Sequence, residues 1–145
     1  MRGLEPAEAE ELLLWFVRHD FARHVLGPLS APHVVVLFRQ WNEHGFTDVA
    51  HVRSQVRTEV ARTVDAPGRN VYRPGLVVWH YWGGIVDALT ALKDLPQPGG
   101  PDTPARPYEP PRDLHGAPGK GTGAALWIAP EEAETVRIRL PRLKF

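Results

Sequence analysis

The sequence predicts a mainly α fold: a small bundle of about four helices in residues 1–95, an extended Pro/Gly-rich arm over 96–123, and a strand-like tail or short β-hairpin over 124–145. Three observations predict it. Apolar residues ahead of Pro96 recur at helical spacing. Eight of the fifteen prolines lie between Pro96 and Pro118, and six of the thirteen glycines between Gly99 and Gly123. Beyond Gly123 the apolar positions switch to alternation, the period of a strand with one buried face.

The first helix is expected over residues 6–24. Pro6 suits a first helical turn, where its missing N–H has no intrahelical partner. Glu5, Glu8, Glu10 and Glu11 precede Arg18, His19, Arg23 and His24, the order that complements the helix dipole. Leu14, Val17, Phe21 and Val25 make its stripe, widened by Leu13 and Phe16, and Gly27-Pro28 closes it. The second helix is expected from Ser30-Ala31-Pro32 to Gly45, a natural C-terminal glycine. Val34 to Phe38 is apolar all round, which fits a deeply buried helix or a buried strand. Pro32 ahead of the run and Gln40 to His44 behind it favour helix.

In the third helix Thr47 is a fitting N-cap with Asp48 in the first turn. Val49, Val52, Val56, Val60 and Val64 then form one narrow line, and Asp65-Ala66-Pro67-Gly68 breaks the chain. The fourth helix falls between Pro74 and Leu95. Trp82, Ile85 or Val86, Leu89 and Leu92 are its buried side, and Asp87, Thr90 and Asp94 its wet side. Gly83-Gly84 marks a bend or a close backbone approach. In the tail, Val136, Ile138 and Leu140 alternate with Arg137 and Arg139. Residues 124–129, with Trp127 and Ile128, are the expected hairpin partner across Pro130 to Glu134. A lone hairpin is marginal in water, so this one needs a surface to pack on.

Lys and Arg (17) balance Asp and Glu (17), so no global field recruits nucleic acid or an anionic membrane. Cysteine is absent, which removes thiol catalysis, disulfides and thiolate metal sites together. A small secreted fold usually leans on disulfides, so the expected location is the cytoplasm, or a virion if the chain is phage-encoded. The N-terminus has no basic and apolar signal-peptide pattern, and the run Leu12 to Val17 is far too short to span a bilayer. Abundant Arg, Ala, Pro and Val beside scarce Ile, Asn and Lys suggest a GC-rich bacterial or viral genome.

A basic surface on the third helix and the following loop is the candidate nucleic-acid site: His51, Arg53, Arg57, Arg62, Arg69 and Arg73. Read with a wing around Arg73-Pro74-Gly75, it outlines a winged helix-turn-helix with the helix at 47–64 in the major groove. Trp41, His51 and Ser54 fit that motif poorly, because they fall where small or apolar residues are needed. Seven histidines invite a metal reading, but no His-x3-His or Glu-x-x-His spacing supports one. Gly116 to Gly123 resembles a phosphate loop until its required positions are checked: they hold Gly121 and Leu114. Ser30 and Ser54, the two serines, lack a strand-to-helix elbow. Glu10 and Glu11, like Glu131, Glu132 and Glu134, sit at helix-start or turn positions rather than in a cleft. No catalytic, cofactor or metal residue is assigned.

The run Val78-Trp79-His80-Tyr81-Trp82 has more rings than one helix face can bury. Together with the apolar tail it forms the expected docking set: Trp79, Tyr81, Trp82, Trp127, Ile128, Val136, Ile138, Leu140 and Phe145. An extended Pro-rich arm spans roughly 3.1 Å per residue and reaches on the order of 80 Å. The expected function is that of a non-enzymatic interaction or structural subunit of a multiprotein assembly, self-associating or bound to a protein partner through arm and terminal strand. The alternative is a DNA-binding regulator, and a weaker one a small enzyme or metal protein.

Overall fold

The computed structural model describes residues 4–26, 34–67 and 75–110. Its elements are α1 (Leu4–Arg18), β1 (Ala22–Leu26), β2 (Val34–Trp41), β3 (Phe46–Ser54), β4 (Arg57–Val64), β5 (Val77–Gly83) and α2 (Ile85–Lys93). The strands form one antiparallel sheet in the order β1-β2-β3-β4-β5, a plain meander. The fold is mixed α/β, which overturns the expected helical bundle: the second and third helices are strands, and the fourth is half strand.

The first helix is real but ends at Arg18. Asp20 adopts a left-handed backbone (φ 74°) and Phe21 N–H bonds back to Phe16 C=O at 3.0 Å. This is a Schellman-type exit, and the rings of Phe16 and Phe21 supply its apolar clasp with centroids 4.8 Å apart. The basic residues Arg23 and His24, which suggested a helix C-terminus, lie on β1 instead.

Val34 to Phe38 is apolar all round because β2 is buried on both faces. Val35 and Leu37 enter one cluster, and Val34, Val36 and Phe38 the other. Three consecutive valines and Phe38 lose rotamer freedom in a helix and fit a pleated surface. Gly45 is not a helix cap. It sits at φ 76° in the β2–β3 hairpin turn, where His44 N–H and Gly45 N–H both bond to Trp41 C=O.

The valine line at 49, 52, 56 and 60 is split by the β3–β4 hairpin. Val49 faces one side of the sheet, Val52 and Val60 the other, and Val56 is 77% exposed at the turn. Thr47 caps nothing; its hydroxyl donates to Asp65 Oδ1 at 2.6 Å. The aromatic run is strand β5, which resolves the excess of rings. Trp79 and Tyr81 join the helix-covered cluster, while His80 and Trp82 pair in register with Ala61 and Glu59 of the opposite face. Gly84 then starts α2. A Cβ there would meet Gln55 C=O at 3.3 Å, and the same carbonyl accepts Ile85 N–H at 2.9 Å.

Both helices cover one face. Leu13 and Phe16 of α1 and Ile85, Leu89 and Leu92 of α2 pack with Leu37, Ala50, Val60 and Trp79. Lys93 Nζ lies over the Trp15 ring, 5.2 Å from its centroid, tying α2 to α1. The opposite, outer face carries a second apolar cluster, to which the described residues contribute Leu26, Val34, Val36, Val49, Ala61 and Val77.

The arm's first fifteen residues, 96–110, are fixed to this same domain. Arg62 Nη1 donates to Pro96 C=O at 2.8 Å, and Tyr108 forms an antiparallel bridge with Val77 through two hydrogen bonds of 2.8 and 2.9 Å. Gly99 makes the turn between them at φ 98°, so close to His44 that a Cβ would stand 2.6 Å from the ring. Because the His44 side chain is exposed and can swing away, the backbone angle sets the cost. Gly99→Ala is expected to weaken arm docking by about 1–3 kcal/mol, read as faster amide exchange at Tyr108 with little change in β3.

Candidate functional site

Of the six residues proposed as a DNA-facing surface, two are buried and two are half-buried. The helix at 47–64 that would enter a groove is the β3–β4 hairpin. His51 and Arg62 are fully buried, on opposite faces of the sheet. Arg53 and Arg57 are turned onto Glu59, and Arg69 and Arg73 lie outside the described residues.

Two charged clusters emerge that the sequence did not flag. The first lies on the helix-covered face. Asp48 of β3 and Arg62 of β4 are register partners, and both carboxylate oxygens are engaged: Arg62 Nε donates to Oδ1 at 2.7 Å and Nη2 to Oδ2 at 2.9 Å. Trp41 Nε1 donates to Oδ2 at 3.0 Å. With Nη1 on Pro96 C=O, the guanidinium joins the sheet to the start of the arm. Period-two placement brings these residues together from positions separated by the hairpin, a pairing that helical spacing does not suggest.

The second cluster is on the outer face. Glu59 is fully buried, and each carboxylate oxygen takes one guanidinium: Arg53 Nε to Oε1 at 2.8 Å and Arg57 Nε to Oε2 at 2.9 Å. Burial pushes the Glu59 carboxyl above its ordinary value, against the two arginines, which pull it down. Its cross-strand neighbours are His51 and Trp82, whose buried Nε1 has no hydrogen-bond acceptor among the described residues. On β1, His24 packs edge-on against Phe38, and burial lowers its pKa.

The edge of the sheet completes the site. The Tyr108 hydroxyl and His80 Nδ1 hydrogen-bond at 2.6 Å, and burial holds the phenol above its ordinary pKa. Val77 N–H and C=O, edge groups of β5, are occupied by Tyr108. The arm thus behaves as a minimal added strand, and this edge accepts extended chain. Tyr108→Phe keeps the bridge and removes the side-chain bond. It is expected to cost about 0.5–1.5 kcal/mol, seen as increased protease cleavage near residue 106.

Of the expected docking residues, Trp79 is buried in the first cluster and Tyr81 is half-buried against it, so both serve the fold's own core. Trp82 points to the outer face. Trp127, Ile128, Val136, Ile138, Leu140 and Phe145 lie outside the described residues. Glu59, Asp48 and Tyr108 went unmarked in sequence because their partners are set by strand register and by the return of the arm. Among the described residues no group of three His, Asp or Glu side chains is placed to hold a metal ion, and no helix is long and apolar enough to cross a membrane. In comparisons with known proteins, no family model, no curated protein and no solved structure matches this chain.

Proposed function

We propose that the chain is a non-enzymatic interaction subunit that docks through its arm and terminal strand, using strand addition. One observation carries the reading: the arm at Tyr108 is already hydrogen-bonded as a strand to the β5 edge. A segment that pairs with one sheet edge has the geometry to pair with another. Main-chain bonds supply affinity in that mode, and alternate side chains supply specificity. Anchoring by Arg62 and Tyr108 also gives the segment after Pro110 a fixed origin. A tethered binding element engages nearby partners at high effective concentration.

The test is the mass of the full chain by light scattering across a concentration series, beside Ile138→Pro, which removes a ladder donor from the tail. The expected result is a mass that rises above 16.2 kDa with concentration for the natural chain and stays at that value for the proline variant. A constant 16.2 kDa for both removes self-assembly through the tail.

A further inference from the structure

We propose that residues 104–110 of the arm are a preformed polyproline II ligand, held at the sheet edge for the aromatic-lined, acid-rimmed groove of a partner protein. The inference rests on the reading of the chain as an interaction subunit, but it needs neither strand addition nor the terminal strand.

The arm's prolines are regularly spaced. Pro98, Pro101, Pro104, Pro107 and Pro110 recur at intervals of three. That is the repeat of a polyproline II helix, which lines such residues along one edge. Covalent geometry holds most of residues 104–110 in this form. Proline fixes φ at about −65° at three of the positions. Arg106 and Glu109 each precede a proline, which pushes them to extended or polyproline II backbone. Of the two residues left, Tyr108 is held by its bridge to Val77. Among the described residues, 104–107 make no main-chain hydrogen bond of helix or sheet. Polyproline II has none, because its backbone bonds to water.

Three residues per turn give the segment three edges. Pro104, Pro107 and Pro110 share the first, Ala105 and Tyr108 the second, Arg106 and Glu109 the third. The second is committed to the domain, with the Tyr108 ring and hydroxyl on His80 and its main chain on Val77. A groove gripping from one side touches two adjacent edges, and the proline and charged edges are the two that Tyr108 leaves uncommitted. Arg106, Pro107 and Glu109 are exposed, and Pro104 and Pro110 half-buried.

The charge narrows the partner. Arg106 forms no ion pair among the described residues. The pattern Pro101-x-x-Pro104-x-Arg106 sets its guanidinium beside the proline ridge. Aromatic walls receive the prolines, and a carboxylate at the end of the groove receives the guanidinium in a bidentate pair. Anchors at Pro96 and Tyr108 order the segment in advance, so binding costs less conformational entropy than capture of a free chain.

The probes are purified SH3 domains whose aromatic grooves carry an acidic rim, titrated into isotope-labelled full-length protein. The expected result is saturable binding with amide shifts at Ala105, Arg106 and Glu109. Pro107→Ala and Arg106→Glu are each expected to weaken it about 10-fold. Amide exchange at Val77, which reports the Tyr108 bridge, is expected to be unchanged by Arg106→Glu, so that the loss is not detachment of the arm. Absence of saturable binding, shifts that fall elsewhere, or binding indifferent to both variants overturns the proposal. Light scattering on the same samples separates the two readings. A mass that still rises with concentration while the probes fail to bind removes this ligand and leaves docking by the tail standing.

Discussion

Arg62→Ala is expected to destabilise the protein by about 3–5 kcal/mol, because it leaves the Asp48 carboxylate buried without a countercharge. Both partners are sequestered, with side chains 0% and 5% exposed, so water cannot replace the lost guanidinium. Two of the three hydrogen bonds that the guanidinium donates to described residues go to one carboxylate, and the Pro96 carbonyl loses its donor as well. Urea denaturation reads the loss as a lower midpoint. The double change Asp48→Leu with Arg62→Met removes both charges at similar volume, and a buried pair replaced in this way is often neutral. The double variant is therefore expected to be more stable than Arg62→Ala alone. If it is equally damaged, the pair matters through shape rather than charge. Amide exchange should show the arm near Pro96 loosened in both variants, since neither keeps the Nη1 donor.

Glu59→Gln, which mimics the protonated carboxyl, is expected to leave stability at neutral pH unchanged or slightly raised, because burial outweighs the two arginines at this carboxylate. Arg53, whose side chain is 8% exposed, is the stronger of the opposing charges; Arg57, at 42%, is screened by solvent and contributes little. The pH dependence has a definite sign. Burial raises the folded-state pKa of Glu59 above its ordinary value of 4.5, so the folded protein takes up this proton before the unfolded chain does. The group's titration thus adds stability that is fully present below 4.5 and is lost as pH rises through the folded value. Glutamine does not titrate. The natural chain should therefore gain stability relative to Glu59→Gln as pH falls from 7 towards 4.5. A natural chain that loses ground to Glu59→Gln over that window means that the arginines outweigh burial.

Sequence periodicity located the breaks in the chain better than the elements between them. Gly45, the 65–68 break and Gly83-Gly84 all fall at or just outside element ends. The failure came from valine. In β3 and β4, spacings of three and four happened to connect residues on opposite faces, across a hairpin whose turn, Gln55-Val56, contains neither glycine nor proline. The β-branched content of Val34 to Val36 and of Thr47 to Val52 was the stronger signal, and it favours a pleated backbone. The aromatic excess at Trp79 to Trp82 was legible as an oddity; two strand faces explain it where one helix stripe does not. Docking of the arm on its own domain depends on Arg62, Val77 and His80, residues far away in sequence that share no local pattern with it.

The meander has a consequence for the order of folding. Every strand pairs with its immediate predecessor in the chain, so the sheet grows by successive hairpins, each a local event on a microsecond scale. The helices are different: among the described elements α1 is the first and α2 the last, yet they bury their side chains in one cluster and meet at Lys93 and Trp15. During synthesis α1 therefore waits, its apolar stripe uncovered, until all five strands and α2 have emerged. Closing the helix layer joins the most distant of the described elements, and such long-range closure slows folding relative to the local hairpins of the sheet.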